Sequence, residues 1–404
     1  MRESQVEDLF AQFEADVAGT FRPPGVGDAA TRARRRRRTR GSALAGLAAM
    51  LFAVPAGAIA VASGGDGPPP TPRPAPTASP TMVERKVRLP GSELSVATLR
   101  FVDARHAWAL LESCVIGTVS CPGGADHTAL AATDDAGVTW RRVALPAGSE
   151  GPVNLYPLDA RTLTVHLLGQ RFLLTTDGGV TFSSHPLGSP PPQALRAAGA
   201  VQLRCPGATG FEDGASGVEC ERQRLVRAGS AAAPAEPALP GVPYQVVNGG
   251  DGRLWLVQRD GPRTQVGVSA DAARTWRGLP PLPAAGLLTV SPAGDEVWYV
   301  DSGKDRPGRL WRLVGERWLA QPGVPSGTFD HNVVAAGAGV LAVAPEYGPA
   351  GLWTAGGFTP IPEAMAASGV EVLRDGTVVF YSASGRTVVV GVGVGADRTW
   401  TMFT

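Results

Sequence analysis

Cysteine and histidine are both scarce in this chain of 404 residues: there are four cysteines, none before position 114, and five scattered histidines. No two cysteines have CxxC spacing and no histidine cluster joins them, so no metal site is expected. Lysine is nearly absent, because 35 of the 37 basic residues are arginine, and a single arginine therefore says little about binding. Nucleophile-elbow, Walker-loop, EF-hand and zinc-protease patterns are all missing, and no cofactor is expected. Positive charge is confined as well. Residues 1–40 hold nine arginines against six acids, and the remainder holds 28 basic against 30 acidic side chains. That larger part lacks a basic patch, which excludes DNA or RNA as its partner.

One long segment lacks charge entirely, from Gly41 to Gly65. Its core, "SALAGLAAMLFAVPAGAIAVA", is long enough to cross a bilayer core of about 30 Å. The run "RARRRRRTR" before it predicts a cytoplasmic N-terminus and an exported C-terminal part. The expected order is a cytoplasmic tail at 1–40, a single transmembrane helix at 41–63, a Pro-rich stalk at 64–82 and an extracytoplasmic domain at 83–404. The alternative is a secreted protein, since "AIA" and "AVA" resemble signal-cleavage sites, although the preceding segment is long for a signal peptide. In the tail, Val6, Leu9, Phe10, Phe13 and Val17 share one helical face, which suits a cytoplasmic protein partner or the lipid surface. All four cysteines lie beyond the stalk as two local pairs, Cys114 with Cys121 and Cys205 with Cys220. An even count on the exported side fits two disulfides.

Glycine (52) and proline (36) are abundant, favouring short strands and tight turns. The stretch "TDDAGVTW" at Thr133–Trp140 returns as "TTDGGVTF" at Thr175–Phe182 and "SADAARTW" at Ser269–Trp276, with a worn fourth copy, "VGADRTW", ending at Trp400. In each, an Asp (Asp135, Asp177, Asp271) follows Thr or Ser by two, and a glycine (Gly137, Gly179) suits a positive φ. The third copy has Ala273 there, so a strained or different turn is expected. Trp140 and Phe182 stand 42 residues apart, and from Trp276 the aromatics Trp318, Phe358 and Trp400 follow at 42, 40 and 42. A second series of strand, turn and strand, from "LRFVDARHAWAL" to "VEVLRDGTVVFYS", has seven members. This period and count predict an all-β, seven-bladed β-propeller, with six or eight blades as alternatives because "VERKVRLPG" at Val83–Gly91 could be a ring-closing outer strand.

The form Ser/Thr-x-Asp-x-Gly-x-Thr-Trp/Phe resembles the Asp-box, or bacterial neuraminidase repeat, of sialidase-like propellers, over about residues 84–404. The resemblance implies that the motif organises the turn between a blade's third and fourth strands, away from the ligand-binding mouth. It also implies an activity to test: sialidases use three arginines on a carboxylate, a Tyr nucleophile paired with a Glu, and an Asp acid/base. The Arg-Ile-Pro segment that usually opens such a site is absent. Glu346 and Tyr347 are the only adjacent Glu/Tyr pair, and His331 beside Asp330 lies at a blade junction; these four are the catalytic candidates. Arg171, Arg263, Arg306 and Arg386, with Arg259, fall on expected mouth loops and are the candidates for holding an acidic sugar or peptide carboxylate. The expected function is a membrane-anchored, extracytoplasmic platform or sensor for a ligand, glycan or protein, and not an enzyme. A sialidase-type glycoside hydrolase and an assembly factor for a membrane complex are the alternatives.

Overall fold

The computed structural model describes residues 82–90, 92–113, 128–149, 152–167, 171–197, 201–205, 223–227, 234–283, 285–301, 308–322, 332–345, 348–361, 364, 367–383 and 386–404. All belong to the unit Pro76–Thr404. The tail, span and stalk expected before Met82 lie outside the described residues, as do Cys114, Cys121, Cys220, Arg306, Asp330, His331, Glu346 and Tyr347. Among the described residues no helix is long and apolar enough to cross a membrane.

The unit is almost entirely strand, arranged as consecutive antiparallel meanders. The first sheet holds β2 (Ser95–Phe101), β3 (Ala107–Glu112), β4 (Thr128–Thr133) and β5 (Arg141–Val143), and the second β6 (Pro152–Pro157), β7 (Leu163–Leu167), β8 (Arg171–Thr175) and β9 (Ser183–Pro186). After α1 (Pro192–Ala197) comes a two-stranded third sheet of β10 (Val201–Arg204) and β11 (Arg224–Arg227). The fourth holds β12 (Val242–Asn248), β13 (Leu254–Asp260), β14 (Arg263–Ser269) and β15 (Arg277–Gly278). The fifth holds β16 (Leu287–Val290), β17 (Val297–Asp301), β18 (Arg309–Val314) and β19 (Arg317–Gln321). The sixth holds β20 (Val333–Gly337), β21 (Val340–Val343), β22 (Gly351–Thr354) and β23 (Gly357–Pro360). The last holds β24 (Ala367–Val372), β25 (Val378–Ser382), β26 (Val388–Val394) and β27 (Asp397–Phe403), with β1 (Met82–Arg85) on its outer edge.

Second strands such as β7, β17 and β21 are buried at every position. A four-strand meander with two apolar faces cannot shield itself, so each must be covered by its neighbours. The apolar clusters show that covering. One joins the first and second sheets through Trp108, Leu130 and Leu163. Others join the third to the fourth, the fourth to the fifth, the fifth to the sixth, and the sixth to the last. The last sheet returns onto the first through Val379, Val388 and Phe403 against Leu99 and Phe101, the two phenyl rings lying 5.1 Å apart. After the second sheet it is α1 that packs, Ala194 against Phe172, before the chain enters the third, and with the last sheet back on the first the succession is that of a β-propeller.

Inner strands are stapled across sheets by side-chain amides: Asn248 bonds both the N–H (3.1 Å) and C=O (3.0 Å) of Val201, and Gln245 those of Leu288 at 2.8 and 2.9 Å. The ring is sealed at its outer edge, where β1 runs parallel to β27 with Met82 opposite Trp400 and Arg85 opposite Phe403. The segment at Val83–Gly91 thus supplies a fifth strand to the last sheet, and Met82, assigned to the stalk from sequence, opens it.

Two expectations change. The third member of the strand series, "LRAAGAVQLRC", starts in α1, because Pro192 is preorganised for a helix's first turn and Gln-Ala-Leu-Arg-Ala is a run of good helix formers. The fourth copy of the turn motif is a plain hairpin between β26 and β27. Asp397 pairs within that hairpin, and buried Arg398 braces it, donating to Gly395 O (2.9 Å), Gly376 O (2.8 Å) and Gly391 O (3.1 Å).

Candidate ligand-binding site

Two kinds of turn repeat around the ring and fix what can face a ligand. The first is the Thr-x-Asp motif, which joins third and fourth strands at β4/β5, β8/β9 and β14/β15. Thr133 Oγ1 donates to Asp135 Oδ1 at 2.8 Å and accepts from Gly137 N–H at 3.0 Å, while Asp135 receives the N–H (2.9 Å) and hydroxyl (2.6 Å) of Thr139. Thr175, Asp177, Gly179 and Thr181 repeat this set, as do Ser269, Asp271, Ala273 and Thr275. The Thr139 hydroxyl, then its amide, holds the Asp135 carboxyl at about 2, and Asp177 and Asp271 are likewise held far below the ordinary range by Thr181 and Thr275. A carboxylate saturated by its own turn in this way is not poised to exchange protons with a substrate.

The third copy keeps the same turn without glycine: Ala272 and Ala273 sit at φ 58° and 63°, in the left-handed region. The reason lies in the neighbouring sheet. A Cβ on Gly137 would overlap Cε1 of Phe403 and stand 3.0 Å from its Cζ, and one on Gly179 would overlap Val143. Phe403 and Val143 both belong to the fourth strand of the preceding sheet. Among the described residues the sheet preceding Ala273 has two strands and no fourth strand, and the methyl packs beside Val201 and Leu225.

Arginines on the preceding sheet clamp the same turns. Arg85 donates to Ala136 O at 2.5 Å, Arg141 to Gly178 O at 3.0 Å and Arg227 to Ala272 O at 2.5 Å. Arg277, which follows Trp276 as Arg141 follows Trp140, reaches Glu316 on the next sheet. The closing aromatics wedge between sheets: Trp140 in the last-to-first cluster, Phe182 against the first-to-second, Trp276 against the third-to-fourth.

The second repeated turn joins first and second strands. Asp103 accepts the N–H of Arg105 and His106, both at 2.8 Å, and Asp159 those of Arg161 and Thr162, also at 2.8 Å. Burial alone would raise the Asp103 carboxyl, but those amides and the His106 ring, 2.8 Å away, bring it down. Asp375 accepts Thr377 N–H at 3.0 Å and, across the ring closure, Ala104 N–H at 2.7 Å.

Between these turns the ring opens into a funnel formed by two adjoining cavities. One, of about 410 Å³, is lined by Arg100, Tyr156, Arg196, Glu371 and Arg374; the other, of about 630 Å³, adds Asp159, Asn248 and Ser291. Arg196 and Arg374 line both. Both are exposed, and among the described residues neither has an acceptor. Unpaired guanidinium groups on a shared wall favour an anionic group with oxygens in one plane. Nearby, Tyr381 donates to Glu371 Oε2 at 3.0 Å while the Arg100 guanidinium sits 4.7 Å over the tyrosine ring. Burial, then the Glu371 charge, pushes the phenol well above its usual range, and Arg100 opposes them. Tyr381 is therefore a protonated donor at neutral pH.

Of the described sequence candidates, none lines the funnel. Arg171, Arg259, Arg263 and Arg386 sit where second strands pass to third strands, the opposite strand ends from the 1–2 turns that frame the cavities. Arg171 reaches Gly148 O at 3.4 Å, Arg259 lies 5.1 Å over Tyr244, and Arg386 faces the Glu112 carboxyl, which burial raises and Arg386 lowers. Cys205, just after β10, is disulfide-bonded, and every other cysteine lies outside the described residues. Among the described residues no cluster of His, Cys, Asp and Glu could hold a metal. The Tyr381–Glu371 pair escaped sequence inspection because its members are ten residues apart and meet only through the β24–β25 register, Gly369 opposite Tyr381 and Glu371 opposite Val379.

No family model matches the chain, and no curated protein matches it. Several solved structures are similar at low identity. YCF48 bound to D1 peptide aligns at 15% identity and a TM-score of 0.30, covering 77% of this chain and 83% of its own. A GH74 xyloglucanase from Xanthomonas campestris aligns at 18% and 0.34, covering 76% of this chain, which spans about half (47%) of the enzyme's length. A streptogramin B lyase aligns at 14% and 0.37, covering 63% of this chain and 84% of its own.

Proposed function

We propose that the chain is a membrane-anchored, extracytoplasmic platform, a seven-bladed propeller of the Asp-box kind, that binds an anionic group of a ligand or partner in its central funnel. The seven sheets and their successive packing support the blade number, with the two-stranded sheet counted as an incomplete blade. The anchor rests on the uncharged segment Gly41–Gly65 and its arginine flank. The observation that carries the binding function is the pair Arg196 and Arg374, unpaired on a wall common to both cavities. The three motif aspartates act as turn organisers in this reading, since their acceptor capacity is spent inside the turn.

Binding is tested by titrating the full-length protein, in detergent micelles, with citrate and with N-acetylneuraminic acid by calorimetry. Binding that weakens with salt and falls about tenfold or more in Arg196→Ala/Arg374→Ala supports the funnel. Binding equal in wild type and variant removes it.

The Tyr381–Glu371 hydrogen bond beside Arg100 favours one second reading, a sialidase-type hydrolase with Tyr381 as nucleophile. It departs from the sequence candidates, which put that role on Glu346 and Tyr347. Turnover of a fluorogenic sialoside that vanishes in Tyr381→Phe would establish the hydrolase. A folded protein that binds the acid without turnover leaves the platform.

A further inference from the structure

The three most exposed large apolar side chains among the described residues are Val180 (81%), Val394 (78%) and Val138 (64%). Each stands in or beside a turn between third and fourth strands, and the three turns belong to consecutive sheets, the last, the first and the second. Arginine clamps join these turns side by side: Arg85 runs from the last sheet to the first sheet's turn, and Arg141 from the first to the second's.

Against each valine turn lies the turn between first and second strands of the same sheet. Ala136 N–H donates to Arg105 O at 2.8 Å, Gly178 N–H to Arg161 O at 2.9 Å, and Arg398 to Gly376 O at 2.8 Å. Those neighbouring turns carry Arg105, Arg161 and Arg374, all exposed, and none of the three guanidinium groups has an acceptor among the described residues. The carboxylates beside them are occupied. Asp103, Asp159 and Asp375 accept turn amides, and exposed Asp134 faces Arg141 at 3.9 Å. The fourth sheet differs at both places, with Arg274 where Val138 and Val180 stand and Arg253 paired to Asp251. One side of the ring therefore presents apolar tips with unpaired cations behind them. The chain also enters the ring at this end, since β1 starts at Met82 opposite Trp400 and runs parallel to β27, away from the β26–β27 turn. Residues 66–81 alone separate β1 from the uncharged segment Gly41–Gly65, a reach of at most about 55 Å.

We propose that this side of the ring docks on an anionic bilayer surface. Val138, Val180 and Val394 enter the boundary between headgroups and acyl chains, and Arg105, Arg161 and Arg374 meet lipid phosphates. Apolar tips backed by cations gain from both parts of such a boundary at once. Valine is small and each tip enters only shallowly, so binding depends on the three acting together on a tethered molecule. The docking builds on the membrane anchor proposed above and adds which end of the ring meets the lipid. The funnel, whose Arg374 belongs to both surfaces, then opens toward the headgroups.

The test uses the full-length protein reconstituted into phosphatidylcholine vesicles, with and without phosphatidylglycerol. Nitroxide labels go on Thr176→Cys and Ala396→Cys, at exposed residues beside the valines, and on Pro262→Cys, in the β13–β14 turn at the opposite end. Wild type carried through the same labelling is the blank. Power saturation reads the contact of each nitroxide with lipid-soluble oxygen against water-soluble nickel. With phosphatidylglycerol, the labels at 176 and 396 should lie in lipid while the label at 262 stays in water. Val138→Ser/Val180→Ser/Val394→Ser and Arg105→Gln/Arg161→Gln should each return them to water, as should pure phosphatidylcholine. Labels at 176 and 396 that stay in water with phosphatidylglycerol, equal lipid contact at 262, or contact unchanged in the serine variant would each overturn the proposal. Carbonate extraction reads the anchor separately. A resistant protein with its labels in water keeps the anchor and loses the docking, and a released protein with its labels in lipid keeps the docking and loses the anchor.

Discussion

Replacing Gly137 by alanine should strike the seam that closes the ring. Gly137 sits at φ 75°, and a methyl there meets the Phe403 ring, which is 2% exposed and 5.1 Å from Phe101 across the first-to-last interface. The left-handed backbone alone costs an L-residue about 1–2 kcal/mol. Phe403 cannot swing away, because it is boxed in by Leu99, Phe101 and Val388, so overpacking adds about 1–3 kcal/mol. The sum, about 2–5 kcal/mol, is a large part of the roughly 5–15 kcal/mol by which folded domains are stable. Urea denaturation followed by tryptophan fluorescence should show the midpoint fall with little change in slope. The steric half of the argument is checked by a double-mutant cycle with Phe403→Leu, which trims the ring where the methyl lands. The coupling should recover about 1–2 kcal/mol of the Gly137→Ala loss. A Gly137→Ala loss below about 1 kcal/mol, or a loss that is identical in the Phe403→Leu background, would refute the close-approach explanation.

Other expected outcomes follow from the same geometry. Ala272→Gly, at an exposed residue already at φ 58°, should stabilise by about 0.5–1 kcal/mol, read as a higher urea midpoint. Glu296→Ala should destabilise by about 1–3 kcal/mol, because it leaves the Gly339 N–H that the carboxylate accepts across the fifth-to-sixth interface unpaired, while half-exposed Arg312, 2.9 Å away, turns to solvent. Asp135 has its folded-state carboxyl lowered to about 2, so its contribution is present above the unfolded carboxylate range and is lost as pH falls through the folded value. The melting-temperature gap between wild type and Asp135→Asn should thus be constant from pH 5 to 7 and shrink toward pH 2, as seen by calorimetry at successive pH values. A gap that widens on acidification would mean that the turn does not hold the carboxylate.

The motif turns were readable in sequence because they are local. Thr133, Asp135, Gly137 and Thr139 complete one another's hydrogen bonds within seven residues, and the aromatic that follows marks the wedge between sheets. The funnel was not readable for the opposite reason. Arg100, Arg196 and Glu371 come from the first sheet, the helix before the third, and the last sheet, and only ring closure brings them together. The arginine clamps on the turns were hidden too, since Arg85, Arg141 and Arg227 lie 51, 37 and 45 residues from the carbonyls they hold. Their signal was nevertheless present in the repeat: the residue after a closing aromatic is arginine at both Arg141 and Arg277, and each reaches the next sheet's outer turn.

The third sheet shows how one local departure propagates. Helix-forming residues after Pro192 stand where the strand series opens its third member, and the chain after β11 carries prolines at Pro234, Pro237 and Pro240. Among the described residues no fourth strand of the third sheet meets the turn of the following sheet, and the close approach that Phe403 and Val143 make at Gly137 and Gly179 has no counterpart at Ala273. Ala273 fills the space instead, and its methyl lies among Val201 and Leu225. The loss of a motif glycine, which by sequence alone looks like decay of the repeat, is therefore the complement of an incomplete neighbour.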